Sequence, residues 1–150
     1  MSQSLANVLI HTIFSTKNRR ALIQSPVDRD LYSYIAGIAK SHGSFVYEVG
    51  GVEDHVHILQ TLPRAMPVCK LVEEIKKSSS RWIKGKGIRY SDFAWQSGYG
   101  AFSIGQSGID GLRKYIQDQK EHHKKISFQD EYRAFLKKYQ VKFDENHMWD

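Results

Sequence analysis

Two groups of residues in this chain have the types and spacing that could do chemistry. The first is His55-Val56-His57. The surrounding pattern predicts a strand, on which side chains alternate, so both imidazoles project from one face two residues apart. Two neutral ring nitrogens so placed can hold a divalent cation; the same pair can also be plain polar decoration of a strand. The second group is Tyr115-Ile116-Gln117-Asp118-Gln119. On a helix Tyr115 and Gln119 share a face. The tyrosine hydroxyl could attack an electrophile and the glutamine carbonyl oxygen could ligate a cation. Alternatively, Tyr115 is an amphipathic core residue and Gln119 a surface amide, which is the simpler reading of either residue alone.

Other residues invite blander readings. His122-His123 reads as a solvated basic helix end. Asp54 could orient a neighbouring ligand histidine, or be ordinary turn chemistry. His11 reads as a satisfied structural histidine, and Cys69 as a small helix residue without a partner. Gly85-Lys86-Gly87 is too short for a phosphate-binding loop, and the chain has no G-x-x-x-x-G-K stretch, so no nucleotide cofactor is expected.

The elements that must position these residues follow from periodicity. Leu5 to Phe14 alternates as a strand, with Ala6, Val8, Ile10, Thr12 and Phe14 on one side and Asn7, Leu9, His11 and Ile13 on the other. Ser25-Pro26 opens a helix that carries Leu31, Ile35, Ile38 and Ala39 at helical spacing and ends at Gly43. Phe45 to Val52 and His55 to Leu62 read as strands, and the short link Glu53-Asp54 makes them an antiparallel hairpin. Pro67 opens a second helix, with Val68, Leu71, Val72, Ile75, Ser79, Trp82 and Ile83 as its buried stripe, stopped by Gly85 and Gly87. Ala101 to Ile104 is the best strand of a glycine-broken aromatic stretch. Ser107, with Asp110 three residues on, caps a helix running to about His123. Ser127 with Asp130 caps a last helix ending near Tyr139, and the tail to Asp150 is expected to be loosely held. Strand, helix, strand, strand, helix, strand spells the split β-α-β of a ferredoxin-like sandwich, an α+β fold followed by two further helices. That fold hosts many functions and decides nothing by itself.

Composition narrows the classes. The 150 residues make one domain, residues 1–150, with 41% apolar and 25% charged side chains, which is globular composition. One cysteine excludes a disulfide framework and a multi-cysteine zinc site. No run of about 18 apolar residues is present to span a membrane, and the N-terminus lacks a basic n-region and a cleavage site, so a cytoplasmic protein is expected. Lys and Arg number 22 against 16 Asp and Glu, a net charge of +6. Between Arg64 and Tyr90 eight basic residues face only Glu73 and Glu74, so this segment carries the whole excess. Lys17-Asn18-Arg19-Arg20 is a second basic cluster. Concentrated positive charge beside aromatics suits a phosphate backbone with bases to stack, though a single basic run is often just a solvated helix face.

The two chemical groups together resemble a known family. Gly50-Gly51-Val52-Glu53-Asp54-His55-Val56-His57-Ile58-Leu59 resembles the HUH motif of single-tyrosine transposases, and Tyr115-x-x-x-Gln119 resembles their nucleophile helix. These are the transposases of bacterial insertion sequences that move as single-stranded DNA, with the related REP-associated tyrosine transposases. His11 to Arg20 is similar to their first strand and basic turn, and Trp95-Gln96-x-Gly98-Tyr99-Gly100-Ala101-Phe102-Ser103 to the block before their last strand. The likeness runs from about residue 7 to the C-terminus.

The resemblance implies an HUH endonuclease domain on the ferredoxin-like fold, with an added tyrosine-bearing helix and a further helix. It implies His55, His57 and Gln119 as metal ligands and Tyr115 as nucleophile. Three neutral ligands leave the cation's charge free to polarise a phosphate oxygen. Mg²⁺ is expected, with Mn²⁺ as an effective substitute because imidazole suits it better. The implied activity is a DNA transposase that nicks and rejoins single-stranded DNA through a 5′-phosphotyrosine intermediate at hairpin-marked ends, as a bacterial homodimer associated with the nucleoid when bound to DNA. Lys17, Arg19, Arg20, Lys70, Lys77, Arg81 and Lys84 are the residues expected to contact the DNA backbone. Two other readings stay open: a non-cleaving hairpin-binding or regulatory protein on the same fold, and a metal-dependent hydrolase in which Tyr115 is structural.

Overall fold

The computed structural model describes residues 2–150. Four strands form one antiparallel sheet: β1 (Leu9–Ser15), β2 (Val46–Val52), β3 (His55–Thr61) and β4 (Gly100–Ser103), in the order β2-β3-β1-β4. Helix α1 (Val27–Ser41) connects β1 to β2, and α2 (Val68–Lys84) connects β3 to β4. This is the ferredoxin-like arrangement expected from the element order, with β3 inserted between β1 and β2. After β4 come α3 (Ile109–Gln117), the single turn α4 (Gln119–His122) and α5 (Phe128–Lys138). No helix among the described residues is long and apolar enough to cross a membrane.

The alternation of side chains along β1 and β3 sorts them between two faces. Ile10, Phe14, Val56 and Ile58 join Leu31, Ile35 and Ala39 of α1 and Leu71, Val72, Ile75 and Ile83 of α2 in the main core. On the other face Leu9 and Leu59 pack under Ile109 and Ile116 of α3, and Ile13 and Phe102 under Phe128, Tyr132 and Leu136 of α5. His11, His55 and His57 lie on this second face.

Several boundaries differ from the sequence expectation. β1 begins at Leu9, because only from there does it have partners on both sides, Thr61 on β3 and then Ser103 on β4; Leu5 and Val8 are exposed. Gln106–Gly108 forms a 3₁₀ turn, and α3 starts after Gly108 with no side-chain cap, so the Ser107–Asp110 box does not form. The expected continuous helix to His123 bends at Asp118, which separates α3 from α4. By contrast, Ser127 caps α5 by accepting from the Asp130 amide at 3.1 Å. The tail is held: the Asp150 carbonyl accepts from the Gly98 amide at 2.8 Å, and Trp149 packs against Phe128 and Tyr132.

Two glycines let the site-bearing helices approach the sheet. A Cβ at Gly50 would lie 2.8 Å from Ile116 Cγ2 and 3.0 Å from its carbonyl oxygen, so α3 rests on β2 only because position 50 has no side chain. A Cβ at Gly100 would meet the Tyr132 ring at 2.6 Å, which sets the seat of α5 on β4 in the same way.

Candidate active site

His55 and His57 are fully buried on β3, and their rings are oriented from behind. Asp54, in the two-residue turn before β3, holds His55 Nδ1 at 2.7 Å. His11, opposite on β1, holds His57 Nδ1 through its own Nε2 at 2.8 Å. Both outer nitrogens being engaged, the two Nε2 atoms face inward, beneath α3, α4 and α5.

Gln119, at the start of α4, is buried and places Oε1 3.1 Å from His55 Nε2. Tyr115, one turn earlier and half-buried, stands edge-on to His57 with ring centroids 5.9 Å apart. The structure therefore brings His55, His57, Gln119 and Tyr115 of one chain to a single point, even though the helix carrying the last two is bent between them.

Glu131 of α5 lies at the centre of this group, and the sequence reading missed it. Its Oε1 is 3.0 Å from His57 Nε2, 3.3 Å from His55 Nε2 and 3.2 Å from His123 Nε2. Its Oε2 accepts from Gln119 Nε2 at 3.0 Å and from the Tyr115 hydroxyl, and lies 3.3 Å from His122 Nε2. His122 Nε2 also meets the Tyr115 hydroxyl at 3.1 Å. The expectation of a solvated histidine pair is corrected for His123, whose side chain is only 8% exposed because the turn after α4 folds under α5. A signal for Glu131 existed in the sequence. It falls with Phe128, Tyr132, Phe135 and Leu136 at the spacing of one helix face, so a carboxylate interrupts the apolar stripe of α5. Nothing in the helix pattern says what it meets, since its partners are 8 to 76 residues away and none lies on α5.

The electrostatics follow from burial and from this carboxylate. Burial alone would raise the Glu131 carboxyl, but the imidazoles of His123, His55 and His57 gathered around it hold it far below the usual carboxylate range. Burial would also lower His55, yet Asp54 and Glu131 outweigh it and push the imidazole up to about 9. His57 is lowered by burial, against the pull of Glu131, and His11 is held well below 6.5 by burial and by His57. Burial and the nearby Glu131 charge raise the Tyr115 hydroxyl above its ordinary value, so the residue is held as the phenol.

His55, His57, His123 and Glu131 form a largely buried group that could hold a metal ion, their ligand atoms all lying within 4.8 Å of one another. The donor set suits a transition ion. His123 supplies a further sign of fit, because its Nε2 is buried and has no hydrogen-bond partner. Beside the cluster a pocket of about 220 Å³ is lined by Tyr115, His122, Glu131, Phe135 and Lys138.

The basic residues fall in two places. The turn bearing Lys17, Arg19 and Arg20 leaves β1 where Ser15 pairs with His55, next to the cluster. Arg20 pairs with Asp92 at 2.9 Å and Arg19 lies over the Trp149 ring. Lys70, Lys77, Arg81 and Lys84 are exposed on α2, on the opposite face of the sheet. Lys70 and Lys77 are engaged by Glu74 at 3.2 and 3.0 Å, and Arg81 and Lys84 have no acidic partner among the described residues.

Comparison with known proteins shows the family and the fold. The profile of the IS200-like transposase family matches residues 4–119, and the chain belongs to that family. Two solved structures share the fold. One is a candidate transposase from Deinococcus radiodurans R1, 20% identical, with a TM-score of 0.61 over 79% of this chain and 98% of that one. The other is a REP-associated tyrosine transposase bound to a REP hairpin, 17% identical, with a TM-score of 0.59 over 82% of this chain and 74% of that one. The curated proteins contain no match.

Proposed function

We propose that this transposase cuts and rejoins single-stranded DNA through a covalent bond to Tyr115. The observation that carries the reading is the convergence of His55, His57, Gln119 and Tyr115, from a strand and a helix 60 residues apart, in a chain of the IS200-like transposase family.

In this reading His55, His57 and Gln119 hold a divalent cation, Mg²⁺ with Mn²⁺ as substitute, which when bound polarises a non-bridging phosphate oxygen. Tyr115 Oη attacks the phosphorus. Its new O–P bond forms as the bond to the 3′ oxygen breaks, giving a 5′-phosphotyrosine and a free 3′-OH. Glu131 Oε2 accepts the hydrogen bond of the Tyr115 hydroxyl and orients it; the phenol proton leaves to water as the O–P bond forms, and the departing 3′ oxygen takes a proton from water. The ester is conserved, so a 3′-OH can reverse the step and rejoin strands without a nucleotide cofactor. Asp54 and His11 keep the two imidazoles facing the site.

The substrate is single-stranded DNA marked by hairpins at element ends, and the protein acts as a homodimer; family membership supports both. Lys17, Arg19 and Arg20, beside the site, and Lys70, Lys77, Arg81 and Lys84 on α2 contact the DNA backbone, supported by their exposure and concentrated charge. The test is a denaturing gel of wild type and Tyr115→Phe with labelled single-stranded DNA from the regions flanking the gene, in Mn²⁺ or EDTA. The expected result is a covalent adduct that needs both the metal and Tyr115. DNA binding without an adduct in any lane would overturn the reading in favour of a binding-only protein, and cleavage without an adduct in favour of a hydrolase.

A further inference from the structure

Each of the three imidazoles at the site has one nitrogen engaged on the outside. His55 Nδ1 meets Asp54 at 2.7 Å, His57 Nδ1 meets His11 at 2.8 Å, and His123 Nδ1 meets the Ile126 carbonyl at 2.8 Å. A carbonyl can only accept, so His123 carries its proton on Nδ1. As a neutral ring it then aims a bare Nε2 lone pair at Glu131 Oε1, 3.2 Å away, and that nitrogen has no hydrogen bond. His55 repeats the pattern. Its Nδ1 proton faces the Asp54 carboxylate, and its Nε2 faces two oxygens, Gln119 Oε1 at 3.1 Å and Glu131 Oε1 at 3.3 Å. Ring nitrogens converging on oxygens in this way call for positive charge between them, supplied by a proton on each ring or by one shared cation.

We propose that one divalent cation supplies that charge for all of them, with His123 and Glu131 as ligands beside His55 and His57, and that the second oxygen of Glu131 holds Tyr115 at the same ion. The inference rests on the metal-site reading above and extends its ligand set. The spacing around the carboxylate agrees. An ion with bonds of about 2.1 Å keeps neighbouring donors roughly 3.0 to 3.4 Å apart; Glu131 Oε1 stands 3.0 to 3.3 Å from the three Nε2 atoms, and the four ligand atoms all lie within 4.8 Å of one another. The location agrees too. A carboxylate on the apolar stripe of α5 is costly to bury and would serve packing worse than a leucine. A ligand role accounts for it. Both residues lie beyond Gln119, where the family match ends, so this part of the site is carried by α4, α5 and the turn between them.

Two properties follow. Three imidazoles and a carboxylate bind Mn²⁺, Co²⁺ or Zn²⁺ more tightly than Mg²⁺, so that Mg²⁺ serves by abundance and Mn²⁺ is the sharper probe of the site. And because Glu131 Oε2 accepts from both Tyr115 and Gln119, the carboxylate is a positioning residue for the nucleophile as well as a ligand.

The test uses the full chain and Mn²⁺ alone, without DNA. Free Mn²⁺ is read by EPR during titration of wild type, Glu131→Gln, His123→Gln and His57→Gln, with folding checked by circular dichroism. Glu131→Gln and His123→Gln are each expected to weaken Mn²⁺ binding by at least about tenfold. Binding lost in His57→Gln but unchanged in the other two would overturn this inference and leave the His55–His57 site standing. Unchanged binding in all three would overturn both. Pulsed EPR of Mn²⁺ on wild type gives an answer free of any folding defect in the variants: three coordinated imidazoles are expected, and two would overturn the role of His123.

Discussion

On the face of the sheet covered by α1 and α2, β1 and β3 contribute Ile10, Phe14, Val56 and Ile58 to a core of aliphatic and aromatic side chains. On the other face the same strands, one residue out of step, contribute His11, His55 and His57, and the helices above them add Gln119, His123 and Glu131. The first face is held by the hydrophobic effect, at about 1.5 to 3 kcal/mol for each large side chain removed from water. The second buries groups that individually favour water, and is held by the hydrogen bonds that tie His55 to Asp54, His57 to His11, and Gln119 and Tyr115 to Glu131. One face supplies the rigidity that lets the other keep a costly cluster in place. The same alternation that makes β3 a core strand also presents two imidazoles side by side.

The contrast predicts that stability and activity separate by face. Replacing His57 by Gln should reduce DNA strand cleavage on the order of 10³-fold or more, because it removes both an anchor of the proposed cation and a partner of Glu131. Its unfolding free energy should change by only about 1 kcal/mol; cleavage rates and urea unfolding of the same preparation check both. Ile75→Ala, on the other face, should do the reverse. It should cost about 2 to 5 kcal/mol in urea unfolding, while Mn²⁺ affinity of the folded protein stays at the wild-type value. A core variant that loses metal affinity as strongly as His57→Gln would break the division.

A smaller effect concerns pH. His11 folds with its imidazole held well below 6.5 by burial and by His57, and His57 is itself lowered by burial. Between the folded values and 6.5 the unfolded chain binds more protons than the folded one, so stability rises with pH there and the gain is complete above 6.5. In EDTA, His11 and His57 should therefore make the unfolding free energy fall on acidification from pH 7 to 5.5, opposed by the single proton of His55, which is raised to about 9. His11→Asn should remove about one proton from that slope, or about 1.4 kcal/mol per pH unit. The smallest effect on stability belongs to the surface of α2. Arg81→Ala with Lys84→Ala should stay within about 0.5 kcal/mol. The pair should weaken single-stranded DNA binding and lower its salt dependence by roughly one unit per lost phosphate contact, read from binding isotherms at several salt concentrations.

Much of the apolar face was legible in the sequence because its signals are local. Leu31, Ile35 and Ala39, and Leu71, Val72, Ile75, Ser79 and Ile83, repeat at helical spacing, and all are buried. The Glu53-Asp54 turn made β2 and β3 a hairpin, with Val52 opposite His55. On the polar face, His55 and His57 stood out by alternation, and Tyr115 with Gln119 by their four-residue spacing. Glu131 and His123 did not, because their roles depend on how α5 folds back over β3, and no short-range pattern encodes that contact. His11 was read as structural, and its contact with His57 gives that role a purpose. The bend at Asp118 and the anchoring of Trp149 and Asp150 were missed for the same reason, since tertiary packing decides both.

The central claim is that Tyr115, held over this cluster, is the nucleophile. The most direct test is to trap the protein with labelled single-stranded DNA and Mn²⁺, digest the product, and locate the nucleotide-bearing peptide by mass spectrometry. The account predicts a phosphodiester on Tyr115 and no adduct in EDTA. A nucleotide on any other tyrosine, or cleaved DNA with every tyrosine unmodified, would contradict it.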